Sequence, residues 1–190
     1  MAAPAPGHLP EPATGRPRTL VHPGPRADLR LSHVAAHGGR QIRLSLTAGN
    51  CLHEGLTRAL GAAGVQAAAM ALMGGDLAEV AYCLPVPDPA GQLMATYGEP
   101  IVLQGVSLLR GSATLGQAAD GAPVLHCHAS FADAQGTVRG GHVLTERTEV
   151  GDRPVRVLAT ALDGVALRLG LDSETRLHML RPAPAEVSHG

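Results

Sequence analysis

Leu125-His126-Cys127-His128-Ala129-Ser130-Phe131-Ala132 alternates apolar and polar side chains, Asp133-Ala134-Gln135-Gly136 follows, and Val138-Arg139-Gly140-Gly141-His142-Val143 leads away again. Period-two alternation marks a half-buried strand, and Asp and Gly are turn formers. The segment therefore predicts two antiparallel strands, over 124–132 and 138–150, joined by a short turn. Residues two apart on a strand share a face, so His126 and His128 project together while Cys127 points the other way. His142 joins them only in the right register. If Ala132 faces Thr137, His142 lands opposite Cys127, on the wrong face. A loop one residue longer sets it opposite His128. A one-residue bulge at Gly140-Gly141 has the same effect, because glycine accepts unusual backbone angles. We expect one or the other. Three neutral imidazoles with a fourth position left open are what a zinc-like ion takes. His126, His128 and His142 are thus the candidate metal ligands; a single strand histidine would read more simply as a core or surface residue.

Composition bounds the rest. The chain has 190 residues, enough for one domain and a tail, and 45% of them are apolar. Aromatics are confined to Phe131, Tyr82 and Tyr97, so the core must rest on Leu, Val, Ala, Ile and Met, and no base-stacking platform is available. A formal charge of −1 lacks the basic surplus of a stand-alone nucleic-acid binder. No apolar run is long enough for a membrane span. The N-terminus, with Pro4 and Pro6, has no apolar core of a secretion signal. Cys51, Cys83 and Cys127 are odd in number and far apart, which argues against a disulfide framework and fits a reducing cytoplasm.

Residues 1 to about 28 are rich in Pro, Gly and Ala and read as a disordered or extended arm, and 181–190 as a second loose tail. Between them lies one domain, 29–180. Gln41–Thr47 alternates as a strand, Asn50 is placed to cap a helix, and Leu52, Leu56, Ala59, Leu60 and Ala63 recur at helical spacing until Gly64. Val65–Met73 and Leu77–Leu84 read as strands, Pro85–Pro89 as a loop, and Pro100–Leu109 as a strand broken or bulged at Gly105. Val155–Ala159 and Val165–Leu169 are two further short strands. The sum is α+β: a mostly antiparallel sheet with one main flanking helix.

The stretch Leu125–Leu144, with its His-x-His strand, Asp/Gly turn and Gly-Gly-His strand, resembles the signature of the PPC ("plants and prokaryotes conserved") domain family. Glu149 looks like the glutamate that follows in that pattern. Leu46-Thr47-Ala48-Gly49-Asn50-Cys51-Leu52 looks like the lead into the family's helix, and Pro100–Gly105 like its central strand. The resemblance implies a homotrimer. Plant members act at DNA through a separate AT-hook, and bacterial relatives are usually labelled DNA-binding. The fold is also similar to that of acetolactate decarboxylase, which implies zinc on His126, His128 and His142. Here Gly15-Arg16-Pro17-Arg18 contains only the Gly-Arg-Pro core of an AT-hook, without the preceding Arg and with few other basic residues nearby.

Two functions follow. The first is a trimeric metal-binding regulatory or ligand-binding module, with DNA contact by Arg139, Arg147, Arg153 and Arg156 weakly supported. These arginines read more simply as solvated charges. The second is a zinc-dependent lyase or hydrolase, which needs an acid–base partner. Glu149 lies an odd step beyond His142, on the opposite face by simple alternation, and Glu99 and Asp133 have no geometric support. No nucleophile elbow, Walker loop or Gly-x-Gly-x-x-Gly is present. His53 is expected to be a capping or surface residue, and His22, His33 and His37 to be solvated.

Overall fold

The computed structural model describes residues 21–26, 32–35 and 38–185. Most of the arm expected over 1–28, Gly15-Arg16-Pro17, His37 and the last residues of the tail lie outside the described residues. Among the described residues there are twelve strands, β1 (Gln41–Leu46), β2 (Ala68–Met73), β3 (Asp76–Cys83), β4 (Pro85–Val86), β5 (Thr96–Tyr97), β6 (Ile101–Gln117), β7 (Pro123–Ala132), β8 (Val138–Val143), β9 (Glu149–Val150), β10 (Val155–Ala161), β11 (Val165–Leu171) and β12 (His178–Pro184). One helix, α1 (Leu52–Ala62), and a 3-10 turn (Thr145–Arg147) complete the set. The expected α+β class, mostly antiparallel with one flanking helix, is what the chain adopts.

The organising element is β6. On one edge it pairs with β7 along Ser107–Gln117. On the other it pairs first with β3, along Ile101–Ser107, and then with β2, along Arg110–Leu115. The handover is local: Gly74 and Gly75, between β2 and β3, both have positive φ (65° and 109°), and the Leu108 N–H donates to the Gly75 carbonyl at 3.0 Å. A bulge falls at this handover, where the β6–β7 register shifts between Leu108 and Arg110. Gly105, expected to break or bulge the strand, does neither. Its φ is 62°, yet the pairing with β3 keeps one register on both sides of it. Because β8 pairs with both β7 and β3, the path β6–β7–β8–β3 returns to β6.

Other elements depart from the alternation pattern. Val138–Val150 is not one strand. The Leu144 N–H donates to the Ala81 carbonyl at 2.8 Å, and the Thr148 hydroxyl donates back to the Leu144 carbonyl at 2.9 Å, so the chain turns out of β8 before β9. Asn50 does not cap α1. Cys51 occupies that position, without a side-chain bond, and Asn50 turns back to Thr47 and accepts from Arg58. Pro85 and Val86, expected in a loop, pair with Tyr97 and Thr96. Strand β2 begins only at Ala68. The stretch from Arg181, expected to be loose, enters β12, which is paired with β11 as far as Pro184.

The core forms where the inward faces meet α1. Leu52, Leu56 and Leu60 are buried on one side of the helix, as the spacing predicts, and Gly55 lets the helix approach Leu46 closely. From β7, Leu125, Cys127 and Phe131 point inward. Two of the three aromatics sit in this core: Phe131 is fully buried and meets Tyr82 edge-on at 5.0 Å. A ring packed at this density leaves a cavity when removed. Phe131→Ala is expected to lower the free energy of unfolding by about 3–5 kcal/mol, measured by urea denaturation.

Candidate metal centre

The hairpin turn sets the register. Ala132 pairs with Val138, which leaves Asp133–Thr137 as the loop. The Asp133 carboxylate accepts hydrogen bonds from the N–H groups of Gln135 (3.0 Å) and Thr137 (2.8 Å). Gly136, at φ 79°, donates to the Asp133 carbonyl at 2.9 Å. The longer of the two expected loops is therefore present, and His142 faces His128. No bulge occurs at Gly140-Gly141. These glycines serve a different purpose. A Cβ on Gly140 would lie 2.6 Å from the Ala129 carbonyl oxygen, and one on Gly141 2.6 Å from that of Cys83. Their bare backbone lets β8 sit close to β7 on one side and β3 on the other.

His126, His128 and His142 consequently share one face of the sheet, with their candidate ligand nitrogens all within 4.8 Å of one another. Ring centroids are 4.9 Å apart for His126–His128 and His126–His142, and 5.4 Å for His128–His142. The Nε2 atoms of His126 and His128 stand 3.1 Å apart. Two nitrogens on a tetrahedral zinc, with bonds of about 2.0–2.1 Å, would be roughly 3.3 Å apart. His142 Nδ1 is buried without a hydrogen-bond partner, an orphan that ordinarily costs about 1–3 kcal/mol unless something relieves it. The donor set and its spacing fit zinc or a similar divalent ion. Cys127 points into the core, as expected from alternation, and burial pushes its thiol up to about 12.

Burial, and then the neighbouring His128, lowers the pKa of His126. Burial, followed by His126 and His128, brings His142 down to about 4, against a smaller opposing pull from Glu146. Both rings are neutral at pH 7, the form that ligates metal.

Two residues near the triad carried no sequence signal. Tyr97 stacks on His142 with centroids 4.5 Å apart and planes 20° off parallel, held there by the β4–β5 pairing. Burial and the nearby Cys83 push its hydroxyl up. Glu146 is the carboxylate whose field reaches His142, and His53 Nδ1 holds it at 3.1 Å. The expected acid–base candidates stand elsewhere. Glu149 is exposed and faces Glu79 on β3, Asp133 organises the turn, and Glu99 is exposed ahead of β6. His22, expected to be solvated, pairs with the buried Glu174 at 2.7 Å; His33 is exposed. Of the arginines considered for DNA, Arg153 is bound twice by Asp76 and Arg139 lies 4.0 Å from Asp133.

Comparison with known proteins gives a consistent picture. The family described as the Plants and Prokaryotes Conserved (PCC) domain matches residues 33–162. Among solved structures, the metal-containing protein of Archaeoglobus fulgidus is similar at a TM-score of 0.66 and 20% identity, over 80% of this chain and 99% of that one. The plant- and prokaryote-conserved protein of Pyrococcus horikoshii gives 0.63 and 18%, over 82% and 100%. A protein of Ralstonia eutropha JMP134 named "Putative DNA-binding protein" gives 0.59 and 16%, over 73% and 89%. At these identities the likeness is one of fold. No curated protein matches the chain.

The depressed pKa of His142 has a measurable consequence. In the unfolded chain the ring takes up its proton near 6.5, in the folded chain only near about 4. Between those values the unfolded state binds more protons, so acidification favours unfolding. The metal-free protein should lose on the order of 1–2 kcal/mol through this group as pH falls from about 6.5 toward 4, the ring being partly solvated. Urea titrations at several pH values should show a smaller loss in His142→Gln than in the parent.

Proposed function

This chain belongs to the Plants and Prokaryotes Conserved domain family, and on that footing we propose that it is a metal-binding, ligand-binding module of regulatory type. His126, His128 and His142 hold zinc or a similar divalent ion. The observation that carries this reading is the convergence of three imidazoles, with nitrogens within 4.8 Å on one sheet face. The Archaeoglobus neighbour, described as metal-containing, supports it. Bound there, the metal offers a small-molecule oxygen a Lewis-acid position.

The remaining attributes are part of the same reading. The chain acts as a homotrimer, as the family resemblance implies. Exposed Ile101, Val102, Leu109 and Val138 on β6 and β8 are apolar surface for self-association. It works in the cytoplasm: Cys51, Cys83 and Cys127 are free thiols, and no helix among the described residues is long and apolar enough to cross a membrane. DNA contact is the weaker part. The name of the Ralstonia neighbour favours it, while the charge of −1 and the ion-paired Arg153 oppose it. Lyase or hydrolase chemistry would need a proton carrier beside the open position. Glu146, the carboxylate whose field reaches the triad, is already held by His53, so binding rather than turnover is the reading we keep.

Metal analysis of the purified protein tests the centre. About one divalent ion per chain is expected in the parent, and loss of most of it in His128→Ala, whose exposed side chain adds little to the core. Sedimentation equilibrium should return three chain masses. A metal-free parent, or a variant that retains its metal, would overturn the reading.

A further inference from the structure

Two cavities flank the histidine triad, and they differ in chemistry. One, of about 430 Å³, opens beside His126 and His142 and is walled by Val124, Leu169, Met179 and Leu180, with Thr114 and His178 as its other polar members. The second, of about 400 Å³, is a shallow, largely open depression beside His128, lined by Arg110, Ser112 and Ser130 over a floor of glycines that includes Gly140. Neither wall contains an Asp, Glu or Lys.

The sheet explains the arrangement. Thr114 faces His126, Ser112 faces His128 and Arg110 faces Ser130, so the three pairs step along one face of β6 and β7. Each step of two residues advances about 6.6–6.8 Å. On β8, Gly140 faces Ser130 and leaves the space in front of it open. The triad therefore sits in the middle of a column with hydrocarbon at one end and a guanidinium at the other. No described side chain forms a hydrogen bond or ion pair with the Arg110 guanidinium. Arginines 40, 153 and 181 have carboxylate partners, while among the described residues arginines 43, 147, 156, 168 and 176 have none. Of the unpaired arginines, Arg110 is the one that lines a pocket beside the triad.

A cation without a counterion, next to a set of metal-binding imidazoles and with no acid in either wall, selects an anion. An aliphatic cleft on the far side selects a hydrocarbon body. We propose that this column binds aliphatic monocarboxylates, the carboxylate at the metal with the Arg110 guanidinium as its counter-charge, and the chain lying among Val124, Leu169 and Leu180. The inference rests on the metal reading above and deepens it by naming the ligand class. Arginine suits the task because its planar fork can engage one carboxylate with two parallel N–H donors. The apolar wall supplies affinity in proportion to the methylenes it covers.

Calorimetric titration of the zinc-loaded full chain with acetate, butyrate and hexanoate tests this. Affinity should rise roughly tenfold or more from acetate to hexanoate. Arg110→Gln should weaken all three by roughly tenfold while keeping that chain-length dependence. Leu180→Asn, or Leu169→Asn if the first variant does not fold, should flatten the dependence and leave acetate unchanged. Chain-length-independent binding, an Arg110→Gln variant that binds as the parent does, or inorganic phosphate competing as well as hexanoate would each overturn the proposal. Zinc content is measured on the same samples. If zinc is present at about one per chain and no carboxylate binds, this inference alone fails. If no zinc is taken up, the metal reading fails and takes the inference with it.

Discussion

The register of the β7–β8 hairpin is the constraint on which the site depends. Side chains on a strand alternate with a period of two, so a slip of one residue would send His142 to the opposite face and leave only a pair of imidazoles. Asp133 prevents that slip by accepting two backbone N–H bonds inside the turn, while Gly136 supplies the left-handed backbone the turn needs. Gly140 and Gly141 then let β8 approach both neighbours more closely than any larger residue would permit. The turn chooses the face and the glycines allow the close approach of β8 to β7 and β3.

The same alternation ties the site to the core. Leu125, Cys127 and Phe131 anchor the inner face of β7 while His126 and His128 occupy the outer one. The imidazoles therefore stand on a strand whose other side is packed as tightly as a protein interior, which limits their motion. Partial burial lowers the pKa of His126 and His142, and neighbouring imidazoles add to that effect, His128 on His126 and both His126 and His128 on His142. A rigid backing with depressed proton affinity suits a cation-binding site, and it asks little further of the surrounding chain.

The wider surroundings depend on β6. Its bulge at Leu109 lies where β3 gives way to β2 as its edge partner, and beyond that point Arg110, Ser112 and Thr114 face outward beside the histidines. The β11–β12 hairpin contributes Leu169, Met179 and Leu180 from a segment far along the chain. Tyr97 reaches His142 from a two-residue ladder, and Glu146 reaches it from the 3-10 turn. Four separate pieces of chain are thus gathered around one hairpin.

The features legible in the amino-acid pattern are local ones. Alternation placed His126 and His128 together and Cys127 apart, helical spacing located α1, and strand parity showed that His142 joins the pair only in an even register. The choice between a longer loop and a bulge was not readable, because both satisfy parity; hydrogen bonds to Asp133 made it. Gly140 and Gly141 could be recognised as special, but not as residues of close approach, since that depends on backbones from β7 and β3. Gly105, Pro85 and Arg181 followed strand partners outside their own segments, and Asn50 followed Thr47 and Arg58, rather than their own propensities. Arg110, Tyr97 and Glu146 belong to no local pattern. Their places come from pairings between strands far apart in the chain, and a period read along one segment contains no information about which other segment will lie beside it.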